Sequence, residues 1–163
     1  MITIIDYGLG NVLAFVNVYN RLNIPVAVAK SANALCNASR LILPGVGSFD
    51  HAMQQFNQSG MRHIVEQLVL KENKPVLGIC VGMQMLAKSS DEGDLPGLAW
   101  IDGKVKKFDL SAMPPETNLP HMGWNTILSG KNAPLLEGID EEARFYFVHS
   151  YAGPVNAFTV ASC

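Results

Sequence analysis

Apolar residues in the first half of the chain fall into two alternating patterns. Four short continuous runs have the length and composition of strands covered on both faces: 2–5, 26–29, 40–43 and 76–80. Between these runs, apolar residues recur every three or four positions, as along the buried face of a helix. Strands that alternate with helices in this way pair in parallel with right-handed crossovers. We therefore predict an α/β fold in three layers, with a mostly parallel central sheet flanked by helices.

The pattern changes after residue 88. A polar loop at 89–97 is followed by short apolar runs with turn signals between them: 98–101, 104–108, 124–128 and 144–148. Such runs are typical of antiparallel strands. No internal repeat and no long linker divides the sequence. We predict a single domain over residues 1–163 whose second half is short and mostly antiparallel.

Composition narrows the class of protein. Hydrophobic residues make up 48% of the 163 residues and charged residues 16%, as in a globular protein. The net charge of -2 gives no reason to expect nucleic acid or an anionic membrane as a partner. The N-terminus lacks the basic and long apolar regions of a signal peptide. Three cysteines without a C-x-x-C pair favour a reducing cytoplasm and argue against a disulfide framework or a zinc site. We predict no metal and no cofactor.

The clearest chemical signal is Gly78-Ile79-Cys80-Val81-Gly82, at the point where the fourth run ends. G-x-C-x-G is the thiol version of the nucleophile elbow, in which glycines let the chain bend sharply between a strand and a helix. The helix N-terminus offers N–H groups and a positive dipole end, which favour a thiolate. The alternative is that Cys80 packs as a small apolar residue, which is the default for Cys36 and Cys163.

Two glycine-rich loops follow earlier strands. Residues 8–13 lack the third glycine of a dinucleotide-binding loop, so we expect their glycines to form a turn and not to bind a dinucleotide. Residues 44–50 follow the third run, at the sheet edge where ligands bind in open α/β folds. We expect the N–H of Val81 to be one oxyanion donor, and the backbone of Gly45 to Gly47 to supply the second.

A thiol nucleophile also needs a base, and the chain has four histidines. His51 and His63 lie on the polar faces of predicted helices and suit a solvated surface. His149 follows a buried strand, and His121 lies in a turn. Neither has a carboxylate two residues later to orient its imidazole.

These motifs together resemble a known family. Gly78 to Gln84 is similar to the nucleophile motif of class I (triad-type) glutamine amidotransferases. Further stretches that match this family, in order along the chain, are 5–11, 43–49, 120–125 and 147–151. The resemblance covers essentially the whole chain and implies a flavodoxin-like, three-layer fold.

The resemblance implies hydrolysis of glutamine. Cys80 would attack the side-chain amide, ammonia would leave a γ-glutamyl thioester, and water would release glutamate. The ammonia would pass to a synthase/cyclase partner of (β/α)8-barrel type, in a heterodimer of histidine biosynthesis. The oxyanion hole would comprise Val46, Gly47 and Val81. The implied glutamine-binding residues are Gly45, Gln84, Ser150 and Tyr151. The implied partner-facing or ammonia-path residues are Tyr7, Asn11, His121, Met122 and Trp124.

One departure from the family concerns the base. The family's catalytic histidine and glutamate lie in a C-terminal His-Pro-Glu triplet, and this sequence has no His-x-Glu. The sequence stops within what reads as a strand at 158–163. We expect a chain truncated at its C-terminus, lacking that part of the fold and with little or no activity as given. The alternative is a complete chain in which His149 has been recruited.

Three other functions fit parts of the sequence. A related glutaminase could feed ammonia to a synthase that amidinates a nucleotide-linked sugar in surface polysaccharide assembly. A non-catalytic subunit could bind and gate the barrel. A cysteine protease or esterase could use the same elbow, but it would leave the glutamine-site motifs unexplained.

Overall fold

The computed structural model describes residues 1–114, 116–129, 133–153 and 155–163. The chain divides into two compact units, Met1–Val105 and Lys106–Cys163. No helix among the described residues is long and apolar enough to cross a membrane.

The order of elements follows the predicted alternation in the first unit and becomes strand-rich in the second. The strands are β1 (Ile2–Ile5), β2 (Val26–Ala29), β3 (Arg40–Gly45), β4 (Val76–Cys80), β5 (Ser89–Ser90), β6 (Lys104–Lys107), β7 (His121–Thr126), β8 (Leu128–Ser129), β9 (Arg144–His149), β10 (Tyr151–Ala152) and β11 (Ala161–Ser162). The α-helices are α1 (Val12–Arg21), α2 (Phe49–Gln58), α3 (Arg62–Glu66) and α4 (Val81–Gln84). Short 3-10 turns cover Ala32–Leu35, Leu110–Ala112 and Pro134–Leu136, and a π turn at Gln67–Lys71 follows α3.

The first unit contains a parallel four-stranded sheet in the order β2-β1-β3-β4. This order confirms the predicted α/β fold with a parallel central sheet. Successive residues of a strand point to opposite faces of the sheet. On one face, Ile4 and Ile42 pack with Val12 of α1. On the other face, Ile5 and Leu43 belong to a larger core with α2 and α3. The sheet is therefore the middle of three layers.

One predicted strand of the first unit is absent. Residues 98–101 form no ladder, and they instead close the end of α4. The N–H of Leu98 donates to the carbonyl of Met85 at 2.8 Å, and the N–H of Trp100 donates to the carbonyl of Leu86 at 2.9 Å. Carbonyls at the end of a helix lack partners within the helix, so a passing chain that satisfies them stabilises both segments. The apolar run at 98–101 packs as a cap for this reason.

The second unit is built on an antiparallel pair, β7 and β9. Its register runs from His121↔His149 to Thr126↔Arg144. Two smaller antiparallel pairings join β8 to β11 and the end of β6 to β10. The predicted strands near 124–128 and 144–148 are thus present with shifted ends, and the prediction of antiparallel pairing is confirmed here.

Candidate active site

Cys80 has the backbone conformation of a nucleophile elbow. It ends β4 with φ 55° and ψ -124°, and α4 begins at the next residue, Val81. The predicted order of strand, turn and helix is confirmed. A positive φ is uncommon for a residue with a side chain and costs about 1–3 kcal/mol, so it persists only where the surroundings enforce it. The Cys80 side chain is exposed and forms no disulfide.

Two glycines allow the bend at Cys80. A Cβ atom on Gly82 would collide with the carbonyl oxygen of Leu43 in β3. A Cβ atom on Gly78 would lie within 2.5 Å of the Cα of Met83. Both obstacles are backbone atoms, which cannot move aside as a flexible side chain can. The glycines of G-x-C-x-G are therefore required by close approach of the backbone.

The loop after β3 lies beside the elbow. In the parallel ladder of β3 and β4, Gly45 pairs with Cys80. Gly47 has a φ of 83°, which suits glycine, and both Val46 and Gly47 are exposed. Val81, on the elbow side, is buried. The register thus brings the predicted sources of both oxyanion donors to one edge of the sheet.

Two carboxylates tie α2, which follows this loop, to residues 92–95. Asp50 accepts hydrogen bonds from the N–H groups of Asp94 and Leu95, both at 3.0 Å. Glu92 accepts from the N–H of Phe49 at 2.9 Å and so caps α2, where the Ser48 side chain makes no cap bond. Sequence reasoning missed this pair of contacts because the partners are more than 40 positions apart along the chain. The only signal in the sequence was the presence of two acidic residues, Asp50 at the start of a helix and Glu92 in a polar loop.

Gln84 carries an unsatisfied polar atom. It lies on α4, one turn after the nucleophile, and is 9% exposed. Its Oε1 is buried and has no hydrogen-bond partner among the described residues. A buried acceptor without a donor is unfavourable by about 1–3 kcal/mol, so such an atom indicates a group that a ligand can satisfy.

Tyr7, predicted to face the partner or to line the ammonia path, has a buried side chain. Its side chain is 5% exposed, and its hydroxyl donates to the carbonyl of Pro44 at 2.7 Å. The ring meets Phe56 edge-on, with centroids 5.4 Å apart. Burial raises the pKa of the Tyr7 phenol. Tyr7 therefore braces β3 from within the core, whereas Asn11, also predicted to face the partner, is exposed and caps α1 through its Oδ1.

The second unit holds a chain of hydrogen bonds through two histidines. His149 Nδ1 lies 2.9 Å from the carbonyl oxygen of Tyr151, which can only accept, so Nδ1 carries the proton. His149 Nε2 then accepts from His121 Nδ1 at 3.0 Å. His121 Nε2 lies 3.1 Å from Asn125 Nδ2. Both ring nitrogens of His149 are thus engaged within this unit, which argues against the recruited-base interpretation of His149. His51 and His63 are exposed on α2 and α3, as expected.

Ser150 and Tyr151 line an open cleft of about 660 Å³ in the second unit. Its walls also include Lys107 and Asp109. Asp109 accepts from the hydroxyl of Ser111 at 2.6 Å and from its N–H at 2.9 Å, and these bonds lower the pKa of its carboxyl. A cleft bordered by both signs of charge suits a zwitterionic ligand.

One face of the β7 and β9 pair presents large apolar side chains to solvent. Met122 and Trp124 are each 58% exposed, Val148 56% and Tyr146 53%. The register makes two cross-strand pairs of them, Met122↔Val148 and Trp124↔Tyr146. The Trp124 and Tyr146 rings meet edge-on at 5.5 Å. We call these four residues the apolar face. Clustered exposed residues of this kind mark interaction surfaces.

Comparisons with known proteins agree on one family. The sequence profile of the family described as glutamine amidotransferase class-I matches residues 3–160. A protein of Bdellovibrio bacteriovorus named imidazole glycerol phosphate synthase subunit HisH is 56% identical over 151 residues, which are 93% of this chain and 74% of that protein. The protein of the same name from Leptospira interrogans is 46% identical over equal shares of the two chains. A crystal structure of a glutamine amidotransferase matches the fold with a TM-score of 0.74 at 16% identity, covering 99% of this chain and 79% of the other.

Proposed function

This chain belongs to the class-I glutamine amidotransferase family, and from that membership we propose that it is the glutaminase subunit of an imidazole glycerol phosphate synthase. It hydrolyses glutamine to glutamate and ammonia and hands the ammonia to a synthase. The observation that carries the proposal is the strained elbow at Cys80, with φ 55°, held in register beside Gly45.

The reaction proceeds through Cys80. Its sulfur attacks the amide carbon of the glutamine side chain, and the thiol proton passes to the base that the family supplies from its His-Pro-Glu triplet. The tetrahedral intermediate collapses with cleavage of the C–N bond, and the nitrogen takes up a proton and departs as ammonia. Water then cleaves the γ-glutamyl thioester, which restores the thiol and releases glutamate.

Backbone N–H groups stabilise the negative oxygen of both tetrahedral intermediates. Val81 is the first donor in this proposal, because its N–H follows the nucleophile in the elbow. Val46 or Gly47 supplies the second donor from the neighbouring loop. Removing one such donor in other hydrolases slows the reaction about 10²–10³-fold, so the rigidity of this loop matters for rate.

Four residues are the contacts of glutamine in this proposal. The unpaired, buried Oε1 of Gln84 supports a contact with an N–H donor of the substrate. Gly45 borders the nucleophile in the sheet. Ser150 and Tyr151 line a cleft with charges of both signs, which suits the ammonium and carboxylate of an amino acid. Since the family profile spans both units, we further propose that they form one glutaminase domain.

The partner in this proposal is a (β/α)8-barrel synthase/cyclase, bound as a heterodimer in the cytoplasm. The relatives are named as subunits of a synthase, which supports a synthase partner. The apolar face gives it a docking surface, since exposed Trp and Tyr side chains are frequent hot spots of protein interfaces. Asn11 and His121 are further candidates for contact with the partner or the ammonia path.

Covalent trapping tests the nucleophile. A chloroketone analogue of glutamine alkylates a thiol that is positioned against the substrate amide. We expect one adduct, on Cys80, that excess glutamine prevents, as measured by mass spectrometry of peptides. Cys36 and Cys163 are also exposed and serve as internal controls. An adduct that survives Cys80→Ala, or that glutamine does not suppress, contradicts the proposal.

Reconstitution with the synthase tests the partner. In a chain extended through the family's His-Pro-Glu triplet, Cys80→Ala should abolish glutamine-dependent synthase activity and leave ammonia-dependent activity intact. Trp124→Ala should weaken binding of the two subunits about 30-fold, the effect of a ~2 kcal/mol hot spot, as measured by calorimetry. Leu135→Ala is the matched control, because Leu135 is an exposed apolar residue of the same unit outside the apolar face. Equal effects of the two variants would exclude the apolar face as the docking surface.

A further inference from the structure

Three potential metal ligands converge in the second unit. His121, His149 and Cys163 each offer one ligand atom, and the three atoms lie within 4.8 Å of one another. His121 and His149 face each other directly across β7 and β9. Cys163 follows Ser162, which pairs with Leu128 of β8. Three separate strands therefore bring these side chains to one place.

The spacing of the two imidazoles suits a shared ion. The proton on His149 Nδ1 is held by the carbonyl of Tyr151, so the lone pair of Nε2 points towards His121 Nδ1 at 3.0 Å. Two nitrogens that each lie ~2.0–2.1 Å from one tetrahedral zinc ion are about 3.3 Å apart. The observed separation of 3.0 Å is close to this value, and each ring must turn until its lone pair points at the ion instead of at the other nitrogen. A carbonyl behind a ligating histidine is also the usual second-shell partner that fixes its tautomer.

We propose that His121, His149 and Cys163 bind one divalent transition-metal ion, with zinc as the preferred metal and water as the fourth ligand. Two imidazoles and a thiolate are the donors that zinc prefers, whereas magnesium and calcium require oxygen ligands. The two rings are half-buried and Cys163 is exposed, so the ion has a path from solvent. The spacing of these residues along the chain resembles no zinc motif, which is why the sequence predicted no metal.

Binding rearranges protons within the cluster. The Cys163 thiol releases its proton to solvent and ligates as the thiolate. His121 binds through Nδ1, so its remaining proton moves to Nε2. Asn125, whose amide nitrogen lies 3.1 Å from that atom, rotates to present its Oδ1 as the acceptor. Asn125 therefore orients His121 and is a positioning residue of the site.

The alternating register separates this site from the apolar face. Along β7 and β9, His121 and His149 are half-buried, while their neighbours Met122 and Val148 are exposed. Neighbouring residues of a strand point to opposite faces. The metal would thus link the two strands from the side opposite the apolar face, and the inference stands whether or not a synthase docks there.

Cobalt(II) is the probe that tests the site, since it replaces zinc and its thiolate complexes absorb by ligand-to-metal charge transfer. The measurement uses the full chain carrying Cys80→Ala, which removes the thiol of the elbow. We expect one cobalt ion per chain with a thiolate charge-transfer band, and displacement of cobalt by one equivalent of zinc. If the band is absent, or if cobalt does not bind in a 1:1 ratio, this measurement alone overturns the proposal.

Variants of the ligands sharpen the test. Cys163→Ser should remove the charge-transfer band. His121→Gln and His149→Gln should each weaken zinc binding by more than the roughly 10–100-fold typical of a second-shell change, and Asn125→Leu should fall within that range. Cys36→Ser and His63→Ala are matched controls, because both residues are exposed and lie in the first unit. If the controls weaken binding as much as the ligand variants, the metal is held adventitiously by surface groups.

Discussion

The two compact units of this chain are stabilised in different ways. All of the buried apolar side chains among the described residues lie within Met1–Val105, where they fill both faces of the parallel sheet. In Lys106–Cys163, the described large apolar residues are half-buried or exposed. Strand ladders and ring contacts organise the second unit instead.

The difference explains where the strained residue lies. A residue such as Cys80, with a left-handed φ, requires surroundings that resist relaxation. Its neighbours Val81 and Met85 are buried in the large core, and Gly82 abuts the backbone of β3. The first unit can enforce such a conformation, whereas the described residues of the second unit are half-buried or exposed.

The largest difference in stability loss between the two units is expected when a phenylalanine of each is replaced by alanine. Phe56 is fully buried in the first unit, so Phe56→Ala should lower the free energy of unfolding by about 3–5 kcal/mol. Phe158 of the second unit is 81% exposed, and Phe158→Ala should change the free energy of unfolding by no more than about 0.5 kcal/mol. Urea denaturation measures both. Similar losses for the two variants would refute the contrast in burial.

Glycine substitution gives the next largest effect. Gly82→Ala places a methyl group against the Leu43 carbonyl, so it should destabilise the protein by about 3 kcal/mol and distort the elbow. In Gly153→Ala the new methyl group meets nothing within 4 Å, and stability should be nearly unchanged. Thermal unfolding and the yield of the Cys80 chloroketone adduct measure the two effects. An adduct yield for Gly82→Ala equal to that of the unmodified protein would show that the elbow does not need this glycine.

Replacing Asp50 should destabilise the protein to an intermediate degree. Asp50→Ala leaves the N–H groups of Asp94 and Leu95 without their carboxylate, which should cost about 2 kcal/mol. Asp140 of the second unit accepts a single N–H, from Glu142, on an exposed loop, and Asp140→Ala should cost less than about 1 kcal/mol. Hydrogen exchange provides a local readout, because only Asp50→Ala should speed exchange at residues 94 and 95. Unchanged exchange there would rule out the hydrogen bonds of Asp50 to residues 94 and 95.

The smallest effect concerns Tyr7 and depends on pH. Burial raises the pKa of its phenol, so the folded state holds this proton more tightly than the unfolded state does. The resulting stabilisation is complete below the unfolded pKa of about 10 and is lost as the pH rises above it. At neutral pH, Tyr7→Phe should lower the free energy of unfolding by ~1 kcal/mol, because the hydrogen bond to Pro44 is lost. Above pH ~10, the free energy of unfolding should fall less steeply for this variant than for the unmodified protein. Parallel alkaline curves for the two proteins would contradict this assignment.

The sequence predicted the first unit well because its signals are local. Continuous apolar runs, helical spacing and a glycine-framed cysteine each specify a few adjacent residues, and the strands, helices and elbow appear where these signals lie. The apolar run at 98–101 was misread as a strand, since composition alone does not distinguish a strand from a segment that caps a helix.

The rest of the site depends on contacts between distant residues. The bonds from Asp50 and Glu92 join segments more than 40 residues apart, and no local pattern announces them. Burial of Tyr7 likewise follows from packing against Phe56 and Pro44 and not from its own neighbours in sequence. The unsatisfied oxygen of Gln84 becomes visible only when every possible donor around it has a position.

The ladder between β3 and β4 also makes the protein tolerant of insertions. Pairing from Leu41↔Val76 to Gly45↔Cys80 fixes the nucleophile beside its loop, independently of the length of the connection between them. Gly60 lies in that connection, exposed and with open space around its Cα. Doubling the length of a flexible loop costs only ~0.6 kcal/mol. A reporter peptide or affinity tag inserted at Gly60 would therefore leave the geometry around Cys80 intact.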